Sequence, residues 1–294
     1  WFMDPETGDS YYTISYYSSQ TPGSDIVLVH GLLTNPRFWW RDQIEDLLRH
    51  GNVHCISLTG HYPSQLARPD ERWISESFIV NMVARQLEYL GLTDRPITLI
   101  GHSTGGLVSL VFALHQPHRI RALGVLSSMS HGMEDAGIYR FFQILARRGG
   151  RPGREIYNLT LRLNGASRRI HRFLVGDVAY DRKTLFAYPG FDQWVSNYFP
   201  HVSQLDARQT LPWLRDLHDM DVTDRLGRID VPVLLLCGEN DPYVDCRETE
   251  LTKARLSGAH VTCHVIRQAG HLCMFETPIE YRSFMGDWLA SPVW

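Results

Sequence analysis

Leu99-Ile100-Gly101-His102-Ser103-Thr104-Gly105-Gly106 is the stretch on which the reading of this chain turns. Ahead of it, Pro96-Ile97-Thr98-Leu99-Ile100 has the short apolar run of a buried parallel strand. Behind it, Leu107-Val108-Ser109-Leu110-Val111-Phe112-Ala113-Leu114 continues as a helix that stops at Pro117. Gly-X-Ser-X-Gly between strand and helix predicts a sharp turn, with Ser103 in a strained conformation and its hydroxyl exposed at the strand tip. Gly101 and Gly105 flank the serine where side chains would collide with the neighbouring strand and helix. The first N–H groups of the helix point at any anion that forms near Ser103. The bare pattern also fits an ordinary glycine-rich turn, so its meaning rests on groups elsewhere in the chain.

Working outward, Ile26-Val27-Leu28-Val29 is a buried strand ending at His30-Gly31, followed by Leu32-Leu33-Thr34-Asn35-Pro36. Asn35 is placed to cap, and Pro36 to open, a helix carrying Trp39, Ile44, Leu47 and Leu48 to Gly51. His54–Leu58 predicts the next strand, Phe78–Leu90 a helix, and Ala122–Leu126 another buried strand. Residues 10–17, rich in Tyr and Thr, read as an antiparallel strand near a sheet edge. Alternating strand and helix argue for an α/β fold, a mostly parallel doubly wound sheet with helices on both faces. The alternation stops near Met129 and resumes after Val222, with strands at Val231–Gly238 and Val261–Ile266 and helices at Arg247–Leu256 and Ile279–Leu289. Residues 129–222, helical in pattern and rich in aromatics, are read as a helical cap inserted into a core of residues 1–128 and 223–294.

A chain of 294 residues suits one large α/β domain or a core with an inserted subdomain. No apolar run is long enough for a membrane span. Trp1-Phe2-Met3-Asp4-Pro5 lacks the basic start and apolar stretch of a signal peptide, although a first residue of Trp leaves room for a preceding segment. The five cysteines form no Cys-X-X-Cys pair, which argues against a zinc site and a disulfide framework and for a reducing, cytoplasmic location. Cys55, Cys237 and Cys263 fall in strands expected to be buried, and Cys246 and Cys273 in loops. No metal or cofactor is expected. Charge is uneven: from Arg140 to Lys183, eleven basic residues stand against three acids.

A serine hydroxyl needs an adjacent base to act as a nucleophile, and the base an orienting carboxylate. Asp241 follows the strand that ends at Gly238, and His271 follows the strand that ends near Ile266. Loops at the carboxyl ends of parallel strands converge, so Ser103, Asp241 and His271 are expected to meet. Glu239 and Asp245 are rivals for the acid. Among fourteen histidines, His30 reads as a support of its loop, His102 as packing under the serine, and His264 as a strand residue. Gly149-Gly150 lacks the ending of a phosphate loop.

Gly101-His102-Ser103-Thr104-Gly105, Gly238-Glu239-Asn240-Asp241, Gly270-His271 and the upstream His30-Gly31, in that order, resemble the α/β-hydrolase superfamily, in its serine esterase/lipase-like branch with a helical cap. The resemblance spans nearly the whole chain outside the insertion. It implies a Ser-His-Asp hydrolase with an oxyanion hole made by the backbone N–H groups of Leu32 and Thr104. A serine at the turn, rather than an aspartate, disfavours the dehalogenase and epoxide hydrolase branches. Gly60-His61-Tyr62-Pro63 departs from the family's usual Gly-His-Gly, which is expected to reshape one pocket edge. The Gly-His-Ser-Thr-Gly-Gly run is also similar to cofactor-free perhydrolases.

The function expected is hydrolysis of a carboxylic ester or related acyl compound through an acyl-enzyme. A thioesterase or acyltransferase on a carrier- or CoA-bound acyl group, a biosynthetic lyase or cyclase, and a ligand-binding protein are the alternatives. The expected partner is a small acyl substrate with an apolar portion, in a pocket lined by Leu33, Met129, Trp194, Tyr198, Phe199 and Leu272. The arginine-rich part of the cap is either a solvated face or a dock for an acidic carrier protein. Nucleic acid is disfavoured because the chain as a whole is not basic. Oligomeric state is not legible in the sequence.

Overall fold

A computed structural model describes residues 1–21, 23–132 and 137–291. A short hairpin, β1 (Phe2–Met3) and β2 (Ser10–Tyr11), precedes a seven-stranded sheet of β3 (Ile14–Tyr16), β4 (Asp25–Val29), β5 (Asn52–Ile56), β6 (Ile97–His102), β7 (Ile120–Leu126), β8 (Val233–Gly238) and β9 (Val261–Ile266). Strand order is β3-β5-β4-β6-β7-β8-β9; β3 is antiparallel to β5 and the other pairings are parallel. Every residue of β4, β5, β6 and β8 is buried, as expected of strands that helices cover on both faces. The predicted strand over residues 10–17 divides in two, because only β3 reaches the main sheet, as its edge.

The helices are α1 (Arg41–Leu47), α2 (Glu76–Tyr89), α3 (Thr104–His115), α4 (Gly137–Arg148), α5 (Gly150–Gly165), α6 (Arg168–Val175), α7 (Arg182–Ala187), α8 (Phe191–Val202), α9 (Ala207–Asp216), α10 (Cys246–Arg255), α11 (Cys273–Glu276) and α12 (Pro278–Leu289). Asn35 caps as predicted, its Oδ1 accepting the Arg37 N–H at 2.9 Å, but it caps only a short 3₁₀ turn over Pro36–Phe38. Trp39 and Trp40 are extended, and α1 starts after them. The apolar α3 is buried from Thr104 to Ala113, with sheet on one side and helices on the other. Two cysteines differ from expectation: Cys246 opens α10, and the buried Cys273 opens α11. Cys263 is half-buried because β9 is the outer strand.

Helices α4 to α9 stand between β7 and β8. Their two connections run side by side: His131 bridges Asp221, Gly132 N–H donates to Met220 O at 2.6 Å, and Val222 N–H donates to Ser130 O at 2.9 Å. Arg147, Arg154 and Arg172 pair with Asp219, Asp70 and Asp192. Arg148, Arg151, Arg162 and Arg169 are exposed and form no ion pair among the described residues.

Candidate active site

Between β4 and β6 the sheet reverses its direction of growth, and the segments leaving both strands meet at their carboxyl ends. Ser103 sits there with φ 55° and ψ −126°, a left-handed backbone that a non-glycine residue rarely adopts. Neighbours hold it: Ser103 N–H donates to Leu126 O at 2.9 Å, and its carbonyl accepts Ser128 Oγ at 2.6 Å. Close approach accounts for the flanking glycines. A Cβ on Gly101 would overlap the Gly105 carbonyl, and one on Gly105 the Val29 carbonyl.

His271 lies in the loop after β9 with its side chain 11% exposed. Its Nδ1 donates to Asp241 Oδ2 at 2.8 Å, which leaves Nε2 as the basic nitrogen of the neutral ring. The other Asp241 oxygen accepts the Tyr243 and Val244 N–H groups at 2.9 and 3.0 Å, so the carboxylate is buried and cannot turn away. Of the rival acids, Asp245 caps α10 by accepting the Arg247 N–H at 2.9 Å, and Glu239 is exposed.

His102 is buried, stacks on Phe38 with ring centroids 4.8 Å apart, and donates from Nε2 to the His271 carbonyl at 2.9 Å. Burial first, then the neighbouring His271, pushes its pKa down to about 3, so the ring stays neutral. His30 donates from Nδ1 to Gly31 O at 2.8 Å and accepts the Leu58 N–H on Nε2 at 3.1 Å, which pins the turn after β4. Burial lowers its pKa to about 4. That turn presses on the serine: a Cβ on Gly31 would lie 3.0 Å from Ser103 Cβ. Leu32 and Thr104 are buried, and neither backbone N–H is hydrogen-bonded to a described residue. Unpaired backbone N–H groups on buried residues are rare.

Glu276 was not foreseen from the sequence. This buried carboxylate accepts the Gly270 N–H at 2.8 Å on one oxygen and the Tyr180 and Asp181 N–H groups at 2.8 and 3.1 Å on the other. It ties the His271 loop to the segment before α7, and His271 N–H adds a bond to Val178 O at 3.0 Å.

Ser103 and His271 open onto a mostly apolar cavity of about 460 Å³, walled on its far side by α5, α6 and α8. Leu33, Trp194, Tyr198 and Leu272 line it with Leu32; Met129 and Phe199 do not. Met129 packs instead on Val244 and Tyr243, and Phe199 is half-buried, packed against the core with its ring against His171. Gly60-His61-Tyr62-Pro63 does not reach the cavity either; the buried His61 rings against His30 and Trp213. Phe142, Leu161, Asn164, His171, Val175 and Tyr243 also line the wall and were not expected there from the sequence. Trp194 belongs to both wall and core: it is 1% exposed, donates from Nε1 to Phe38 O at 2.7 Å, and packs on Phe275 and Tyr198. Trp194→Ala is therefore expected to cost about 3–5 kcal/mol, read as a lower unfolding midpoint in denaturant; an unchanged midpoint would show that its core contacts carry little.

Such a sheet, with a serine at the strand tip facing a cavity shared with a carboxylate-bound histidine, is the architecture of a hydrolase. The chain belongs to the α/β-hydrolase family, whose sequence profile matches residues 26–283. It is 26% identical over 283 residues to the 2-hydroxy-6-oxo-2,4-heptadienoate hydrolase of Pseudomonas putida, covering 92% of this chain and 90% of that one. It is 26% identical over 249 residues to the pimeloyl-[acyl-carrier protein] methyl ester esterase of Neisseria meningitidis serogroup B, covering 84% of this chain and 85% of that one. Among solved structures, the enol-lactonase of Burkholderia xenovorans LB400 superposes with a TM-score of 0.74 at 16% identity, over 97% of this chain and 98% of the other, a likeness of fold.

Proposed function

We propose that this hydrolase cleaves carboxylic esters by acyl transfer, with Ser103 as nucleophile, His271 as general base and acid, and Asp241 as the orienting carboxylate. The observation that carries the reading is the Asp241–His271 hydrogen bond on the same cavity as a serine held at positive φ. Ser103 Oγ attacks the acyl carbonyl while His271 Nε2 takes its proton. The Leu32 and Thr104 N–H groups receive the developing oxyanion, a contribution of about 3–4 kcal/mol in such sites. His271 returns the proton to the leaving alcohol. Water, deprotonated by the same nitrogen, then releases the acid and frees Ser103. In this reading residues 129–222 act as a cap over a core of residues 1–128 and 223–294, and the apolar wall holds the acyl group. No step uses a metal or cofactor. A panel of chromogenic esters run beside acyl-thioesters tests the proposal. Ester turnover with covalent labelling by a fluorophosphonate is expected; labelling without turnover on either set would overturn the esterase reading.

A second reading keeps the same chemistry on a carrier-bound acyl group. Exposed Arg148, Arg151, Arg162 and Arg169 favour it, as does the named substrate of the Neisseria relative. Electrostatic steering weakens steeply with salt. On this reading, kcat/KM for an acyl-carrier-protein ester falls as salt rises while that for a small neutral ester holds, and reversing Arg162 and Arg169 to Glu reproduces the loss at low salt. Equal salt responses would leave these arginines as a solvated face.

A further inference from the structure

Three polar side chains from three helices form one hydrogen-bonded row in the apolar cavity wall. His171 on α6 pairs through Nδ1 with Asn164 Oδ1 on α5 at 2.7 Å and through Nε2 with the Tyr198 hydroxyl on α8 at 2.5 Å. His171 and Tyr198 are 5% and 2% exposed, and all three residues line the cavity that Ser103 faces. Around them lie Leu161, Leu174, Val175 and Trp194. Burial lowers the His171 pKa to about 4 and raises that of Tyr198, so both are uncharged at neutral pH.

The row satisfies two proton arrangements. In one, Tyr198 O–H donates to Nε2 and Nδ1–H donates to the Asn164 carbonyl. In the other, with the amide turned over, Asn164 N–H donates to Nδ1 and Nε2–H donates to the phenol oxygen. Each arrangement leaves at least one donor and one acceptor unused at the ends of the row. The remaining amide atom of Asn164 has no partner among the described residues. Asn164 is half-buried and lines the cavity, so a bound group can meet this capacity.

Charge narrows the ligand. Among the described residues lining the cavity there is no Arg or Lys, and the one carboxylate, Asp177, is already paired with Arg182. An anionic group brought here would be stripped of water with no cation to meet it. A hydroxyl or carbonyl would find both a donor and an acceptor.

We propose that Asn164, His171 and Tyr198 form an uncharged hydrogen-bonding subsite for the far end of the acyl group, selecting esters whose apolar stem ends in a neutral hydroxyl or carbonyl rather than in a methyl or a carboxylate. This rests on the esterase reading above. It also sets the substrate class apart from simple fatty esters.

The test is a matched series of p-nitrophenyl esters, from hexanoyl to decanoyl, each with a methyl, hydroxyl, ketone or carboxylate at the far end. At the chain length that reaches the row, kcat/KM for the hydroxyl or ketone ester is expected to exceed that of the methyl ester by about tenfold, and the carboxylate ester is expected to be the poorest. Asn164→Ala and Tyr198→Phe, on different helices, are each expected to bring the polar-to-methyl ratio near one, whatever their effect on absolute rate. A ratio that survives both substitutions while the melting temperature falls would reduce the row to a tie between helices and overturn the subsite. Hydrolysis of the methyl esters with no polar preference at any length overturns the subsite alone. Absence of both hydrolysis and fluorophosphonate labelling overturns the esterase reading and the subsite with it.

Discussion

Ser103→Ala is expected to abolish covalent labelling by a fluorophosphonate and to lower ester turnover by about 10⁵–10⁶-fold. The substitution removes one oxygen and leaves the turn in place, because the backbone there is held by the Leu126 carbonyl, the Ser128 hydroxyl and the two close-packed glycines rather than by the serine side chain. Alanine at φ 55° carries the same backbone strain as serine, so folding should be little changed and circular dichroism should match the parent. The residual rate should reflect the Leu32 and Thr104 N–H groups and substrate binding alone. Labelling that persists in this variant would place the nucleophile elsewhere.

The second large effect is expected at the acid. Asp241→Asn should cost roughly 10⁴ in turnover. The amide still fits the buried site, and its oxygen can still accept the Tyr243 and Val244 N–H groups. Its NH₂ then faces His271 Nδ1 and donates to it, so the proton of the neutral ring moves to Nε2, the nitrogen needed as base. Binding of substrate should change far less than kcat. Asp245→Asn is the matched comparison: it alters the cap of α10, where Asn serves as well as Asp, and an exposed ion pair with Arg247, and turnover should stay close to the parent. A large loss in Asp245→Asn with none in Asp241→Asn would reverse the assignment of the acid.

Much of this was legible in the order of residues. Unbroken apolar runs such as Ile26–Val29 and Leu234–Cys237 can be covered only in a sheet packed on both faces, and both are buried strands. Ser103 lay between a strand and a helix that its own neighbours define, and the loops holding Asp241 and His271 followed strands of the same kind. Parallel strands share one carboxyl edge, so the convergence of these loops follows from topology without any knowledge of side-chain packing.

The cavity wall was not legible in that way. Apolar periodicity says that a residue turns inward; it does not say whether it meets a void or another side chain. Met129, Trp194 and Phe199 carry the same signal, yet one packs on Val244, one spans wall and core, and one lies half-buried against His171. Asn164, His171 and Tyr198 sit on three helices whose crossing brings them together, and Glu276 meets Tyr180 across 96 residues. By itself the sequence determined the α/β sheet and the strand tips that bear the candidate nucleophile, acid and base, because hydrophobic burial and turn chemistry act through near neighbours. Only the tertiary structure decided the wall, its polar row and the strap on the His271 loop, because those depend on the angles and depths at which helices pack, which long-range contacts set.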